Sequence, residues 1–188
     1  DPVFATTISN LQAAHGPWPE GYESEIAEQS TAWVSTITER LNGVALMIDY
    51  GFHETVYYHP TRTQGTLRAT SRHTAHDDFL VKVGEQDLTA HVNFSAVYRA
   101  LSSCGGELEG YCHQGEFLLA HGILDLAQQQ PEFTHPTRGA LMRQNLNTLL
   151  NEADMGEAFK VICWSKGVNA ENTQFAQVFL DKDRSGNL

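Results

Sequence analysis

The sequence predicts an α/β fold, and within it half of a doubly wound sheet. Three observations carry that reading. Gly43-Val44-Ala45-Leu46-Met47-Ile48-Asp49-Tyr50-Gly51 is a short apolar run that stops at an acid, an aromatic and a glycine. Buried parallel strands read this way, without polar alternation, and open α/β sheets bind ligands beyond the carboxyl ends of such strands. A helix-periodic segment feeds into the run through a Gly turn, which makes an αβ unit. The rest of the order is a long polar segment, helix, strand, helices and strand, which suits half of a doubly wound domain better than a whole one. A buried helix is the rival reading of the apolar run, but the run is short and bracketed by Gly43 and Gly51.

Taken in order, residues 2–14 read as a helix opened by Pro2, with Val3, Phe4, Ile8 and Leu11 near one face. His15-Gly16-Pro17-Trp18-Pro19-Glu20-Gly21 breaks it into a turn-rich loop. Ser24 is placed to cap a helix reaching about Leu41, with Ile26, Trp33, Val34, Ile37 and Leu41 as its apolar positions. After the strand, Phe52 to Asn93 is polar and lacks apolar periodicity; such a stretch is usually functional or disordered. It carries His53, His59, His73, His76 and His91, five of the nine histidines. Asn93 caps a helix from Phe94 to about Ser103, and Gly105-Gly106 turns the chain into a strand, Glu107–His113. Helices near Glu116–Gln130 and Pro136–Glu152 precede a strand at Ala158–Ser165, and Ala176–Leu180 is a candidate for one more.

Composition removes several classes of function. With 188 residues and 41% hydrophobic content the chain can bury a sizeable core, and it has no apolar segment long enough to span a bilayer. No basic leader followed by an apolar stretch is visible, so the expected location is cytoplasmic. The net charge of -11 argues against a nucleic-acid binder, which needs clustered Lys and Arg. In residues 1–60 Arg40 is the only Lys or Arg, against eight acids; the acidic face suits either plain solvation or a basic partner. Cys104, Cys112 and Cys163 form no zinc or redox spacing and read as inert thiols in a reducing compartment.

Among the motifs, His73-Thr74-Ala75-His76-Asp77-Asp78 offers metal-ligand types, yet no H-E-x-x-H or C-x-x-C spacing accompanies it, and no metal is expected. There is no G-x-S-x-G elbow, no G-x-G-x-x-G turn and no Walker loop. Gly84-Glu85-Gln86-Asp87-Leu88-Thr89-Ala90-His91-Val92-Asn93-Phe94 reads equally as an elaborate helix entry or as a substrate-facing loop.

A set of these segments, in order, resembles one family: Asp49-Tyr50-Gly51, Tyr57-Tyr58-His59-Pro60, Gly65-Thr66-Leu67-Arg68, His73 with His76-Asp77-Asp78, Gly84 with Asp87-Leu88-Thr89-Ala90-His91-Val92, Gln114-Gly115 with Phe117-Leu118, and Gly122-Ile123. The family is the MidA-like S-adenosylmethionine-dependent methyltransferases, which includes the mitochondrial assembly factor of respiratory complex I. The resemblance is strongest from Gly43 to Ile123. The chain departs from it at Asn93, where the family usually has Asp, and at His113, where it has Thr.

The resemblance implies the carboxyl-terminal half of a class I methyltransferase (Rossmann-like) sheet, with a helical insertion before the last strand. The implied layout is one partial domain: helical lead-in 1–42, sheet and substrate-side loop 43–113, helical insertion 114–157, and closing strand and tail 158–188. It further implies methyl transfer from S-adenosylmethionine to the arginine of a protein substrate. The glycine-rich cofactor loop is expected upstream of Asp1, so this piece alone is expected to be inactive. Relatives in this family work in the mitochondrial matrix. A protonated guanidinium is held by carboxylates. Asp49 is therefore the candidate catalytic residue, and Tyr50, His73, Asp77, Asp87 and His91 are candidate substrate-binding residues. The competing expectation is a non-catalytic assembly or scaffold module. An incomplete sheet would also favour a homo-oligomer.

Overall fold

The structure, a computed structural model, describes residues 2–72, 74–81, 83–168 and 183–188. Its centre is a mixed four-stranded sheet in the order β5-β1-β7-β6, with β1 at Gly43–Phe52, β5 at Val92–Asn93, β6 at Glu107–His113 and β7 at Phe159–Lys166. Here β7 runs antiparallel to both β1 and β6, while β5 is parallel to β1. The strands Glu107–His113 and Ala158–Ser165 thus pair as neighbours, the second shifted by one residue.

One face of the sheet carries Ala45, Met47, Tyr111, Ile162 and Trp164. It is covered by α2 (Glu28–Arg40) through Val34 and Ile37, and by α4 (Phe94–Ser103) through Phe94, Val97 and Leu101. Asn93 caps α4 as its sequence indicates, its Oδ1 accepting from the Ala96 N–H at 3.1 Å. The opposite face packs Val44, Cys112, Val161 and Cys163 against Phe117 and Leu118 of α5 (Gln114–Ala120). Burial pushes the Cys112 and Cys163 thiols up to about 12, which keeps them protonated and inert.

β1 departs from the expectation of a strand buried on both sides. It is half-buried, with Leu46 and Ile48 exposed at 41% and 43%. Among the described residues the α5 side covers this face of β1 at Val44 but not at Leu46 and Ile48, and away from β7 the strand is paired at Gly51 and Phe52. The outer edge of β6 is closed differently. The Tyr111 N–H donates to the Asp183 carboxylate at 3.1 Å, the Arg184 N–H donates to the Tyr111 carbonyl at 2.7 Å, and Arg184 forks onto Glu116 at 2.8 and 2.9 Å.

Four other expectations are revised. Residues 24–27 are not helical, and α2 starts at Glu28 after an uncapped Ala27, because the Glu25 carboxylate is engaged elsewhere. The polar segment is not one loop: it holds α3 (Glu54–Tyr57) and a small sheet ordered β3-β2-β4, built from β2 (Arg68–Ser71), β3 (Thr74–His76) and β4 (Asp87–Thr89). The helical stretch after β6 breaks at Gly122, left-handed with φ +73°, into α5 and α6 (Ile123–Gln128); α7 (Pro136–Leu150) and α8 (Met155–Ala158) follow. In α1 (Pro2–His15) Phe4 and Ile8 remain exposed instead of packing. The suggested strand Ala176–Leu180 lies outside the described residues.

Candidate functional site

A cavity of about 830 Å³ opens beside the carboxyl end of β1, between α1, the start of α2, α3, the segment 90–93 and α4. That volume lies in the usual range for a small-molecule or side-chain site. Its described lining carries four carboxylates, Glu25, Glu28, Asp49 and Glu54, and one guanidinium, Arg99. Tyr57 and Tyr58 add aromatic wall.

Asp49 is half-buried there, its Oδ1 accepting from the Tyr50 N–H at 2.8 Å. Glu54 opens α3 and gathers three elements. It takes a two-point contact from Arg99 of α4, with Nη1 donating to Oε2 at 3.1 Å. It also meets His15 Nε2 at 3.3 Å and accepts from Asn93 Nδ2 at 3.3 Å. Burial pushes the Glu54 carboxyl upward, but the donors from Arg99, His15 and Asn93 outweigh it and hold the group below the usual range. Glu54 is therefore an anion at neutral pH.

His91 forms the opposite wall. Its ring stands edge-on to Tyr50 at 5.1 Å and stacks on Phe52 at 4.9 Å. The Arg62 guanidinium lies 3.9 Å over the same Phe52 ring. Among the described residues the buried Nδ1 of His91 has no hydrogen-bond partner. Burial, and then the charge of Arg62, lower the His91 pKa, so the ring is neutral at pH 7.

His53 and His113 are lowered too, by burial first and then by Lys160 and Arg184 respectively. The sign of the pH effect follows. The folded pKa of each lies below the unfolded value of about 6.5, so the unfolded chain binds more protons as acid is added. Stability is full above that value and is lost as pH falls below it. The melting temperature is expected to drop between pH 7 and pH 5, before the carboxylates titrate. A flat profile over that window would contradict the burial of these rings.

Of the residues picked from sequence, Asp49 and His91 line the cavity, and Tyr50 touches His91. Asp77 is exposed and paired with Arg68 at 3.2 Å; Asp87 is exposed on β4; neither lines the cavity. His73 lies outside the described residues. Sequence reasoning missed Glu25, Glu54 and Arg99. The Glu54–Arg99 pair spans 45 residues and leaves no local pattern. For Tyr57-Tyr58 the signal was their place among the family-like segments.

Gly51 bears on what else the site can hold. A Cβ there would come within 2.1 Å of the Val92 carbonyl oxygen, so the missing side chain admits β5. The glycine at the end of β1 is thus filled by protein, unlike a glycine that lets a cofactor approach the backbone. No grip on a nucleoside cofactor follows from these residues, whereas the carboxylate-rich cavity suits a cationic nitrogen.

A family described as "Putative S-adenosyl-L-methionine-dependent methyltransferase" matches residues 2–112, more than half of the chain. The chain belongs to this family. Solved structures agree. An uncharacterized protein from Burkholderia thailandensis is 38% identical over 97% of this chain and 48% of its own, with a TM-score of 0.86. A member of the same superfamily from Burkholderia thailandensis, solved bound to S-adenosylhomocysteine, is 39% identical over 96% of this chain and 46% of its own, with a TM-score of 0.84. The chain therefore spans about half the length of the solved structures it matches. No curated protein matches it. Its mixed α/β architecture is that of a methyltransferase-like structure. Among the described residues no helix is long and apolar enough to cross a membrane.

Proposed function

We propose that the full-length protein carrying this chain is a MidA-like enzyme that methylates a protein arginine, and that this cavity receives the arginine. In this reading the sheet is the carboxyl-terminal half of a class I methyltransferase domain. The observation that carries it is the Glu54–Arg99 pair: a carboxylate-lined cavity beside the β1 end already holds one guanidinium by a two-point contact. Planar two-point recognition of this kind is what separates guanidinium from ammonium binding.

When bound, S-adenosylmethionine would supply the methyl group from its sulfonium. The chain's own residues act on the acceptor. Asp49 holds the guanidinium and turns one nitrogen outward, while Glu54, its oxygens taken by Arg99, His15 and Asn93, fixes that wall of the cavity. Tyr57 and Tyr58 flank it with apolar surface. Neutral His91 takes up the proton released when the new carbon–nitrogen bond forms. Fixing the acceptor in line with the methyl group is the larger contribution, because orientation replaces an entropic cost.

The test is incubation of the full-length protein with methyl-labelled S-adenosylmethionine and an arginine-containing peptide of low complexity, alongside the matched lysine peptide. Label on arginine alone supports the reading. Label on lysine, or on neither peptide while S-adenosylhomocysteine binds, overturns the arginine assignment.

A further inference from the structure

We propose that Glu25 is a positioning residue that sets the His91 wall of the cavity through the turn at residues 65–67. Glu25 lies just ahead of α2, where its carboxylate leaves the helical path. Its Oε1 accepts from the N–H groups of Thr66 and Leu67, both at 2.8 Å. Its Oε2 accepts from the Thr66 hydroxyl and the Tyr57 hydroxyl, both at 3.2 Å. The Thr66 hydroxyl, having donated to Glu25, accepts from the His91 N–H at 3.0 Å.

One carboxylate therefore fixes a chain of contacts ending on the backbone of the cavity-lining histidine. Gly65 is shaped for it: φ is +61°, and a Cβ there would come within 2.2 Å of Glu25 Oε1. A separate backbone tie, Glu23 N–H to the Thr63 carbonyl at 3.0 Å, holds the same two segments together without Glu25. Glu25 thus sets the local turn while other contacts keep the segments in register. Three charges bear on the His91 ring: Arg62 and Lys160, which disfavour its protonation, and Glu25, which favours it. The inference rests on the proposed function only in treating this wall as the acceptor side.

The experiment is amide hydrogen exchange and histidine titration by NMR on the 188-residue chain and its Glu25→Gln, Glu25→Ala and Thr66→Val variants. Thr66→Val removes the acceptor for His91, whose amide is expected to exchange at least about tenfold faster while β7 amides keep their protection. Glu25→Ala is expected to release the Thr66, Leu67 and His91 amides together. Glu25→Gln keeps the geometry, since its carbonyl still accepts from two N–H groups and its NH2 can donate to both hydroxyls. It removes the charge, so the His91 amide stays protected and the His91 pKa falls further. A purely structural role would leave that pKa in place. Unchanged His91 protection in Thr66→Val, or an unmoved His91 titration in Glu25→Gln, overturns the proposal. Should Glu25→Ala fail to fold, the other two variants decide. None of these readouts needs methyl transfer, so a failed methylation assay and a failed positioning role are distinguishable.

Discussion

Replacing Gly51 by alanine is expected to lower the melting temperature by about 10 °C. The methyl group would have to occupy space held by the Val92 carbonyl oxygen, 2.1 Å from the ideal Cβ, and by Phe94 Cε2 at 2.9 Å. Backbone cannot give way as a flexible side chain can. Overpacking of this kind costs about 3 kcal/mol, and in a chain of this size each kcal/mol moves the melting point by about 3 °C. The strain falls on the two-residue pairing of β1 with β5, which carries Val92 and Asn93 into the cavity wall. Activity is therefore expected to fall even at temperatures where the variant is folded. Calorimetry showing a shift under about 2 °C would mean that β5 does not approach β1 this closely.

Phe94→Ala is expected to be at least as damaging. Phe94 is fully buried at the start of α4, 5.3 Å from the Tyr111 ring, between the sheet and α2. Removing it loses the transfer energy of a phenyl ring and leaves a void, for about 4 kcal/mol, or about 12 °C. Urea unfolding should show a lower midpoint with an unchanged slope. A cost below about 1 kcal/mol would place Phe94 outside the core.

These two positions also show which features the sequence could reveal. The run from Gly43 to Gly51 announced a strand because glycines bracket unbroken apolar residues, and Asn93 announced a helix start because its side chain caps locally. Both are short-range signals. The strands that pair as β6 and β7 were legible as well, each as a short strand-like run beside turn or helix signals. What stayed hidden is long-range. β2, β3 and β4 are three or four residues long, too short to show a period. Glu25 reads as an ordinary helix residue, yet it is claimed by amides 41 and 42 residues away. Glu54 and Arg99 look like solvated charges until α3 and α4 are brought together. The exposed face of β1 leaves no trace in the sequence, because an unbroken apolar run reads as burial on both sides, whereas among the described residues nothing packs over Leu46 and Ile48.

The site was legible in part for the same reason. Asp49 could be placed because a polar stop after an apolar run marks the strand end, where ligands gather in α/β sheets. His91 stood out through its neighbours in the family-like segments. Asp77 and Asp87 stand in family-like segments and carry the charge a guanidinium needs, and the structure leaves both exposed and outside this cavity.

The proposed function turns on the carboxylates beside the β1 end holding a cationic acceptor for methyl transfer. Steady-state methylation by the full-length protein and its Asp49→Asn variant, with an arginine peptide at saturating S-adenosylmethionine, tests it most directly. The substitution keeps size and removes the charge. The expected result is a fall in kcat/KM of about 100-fold, close to 3 kcal/mol of lost transition-state stabilisation, with S-adenosylhomocysteine affinity unchanged. Wild-type kcat/KM in the folded variant would contradict it.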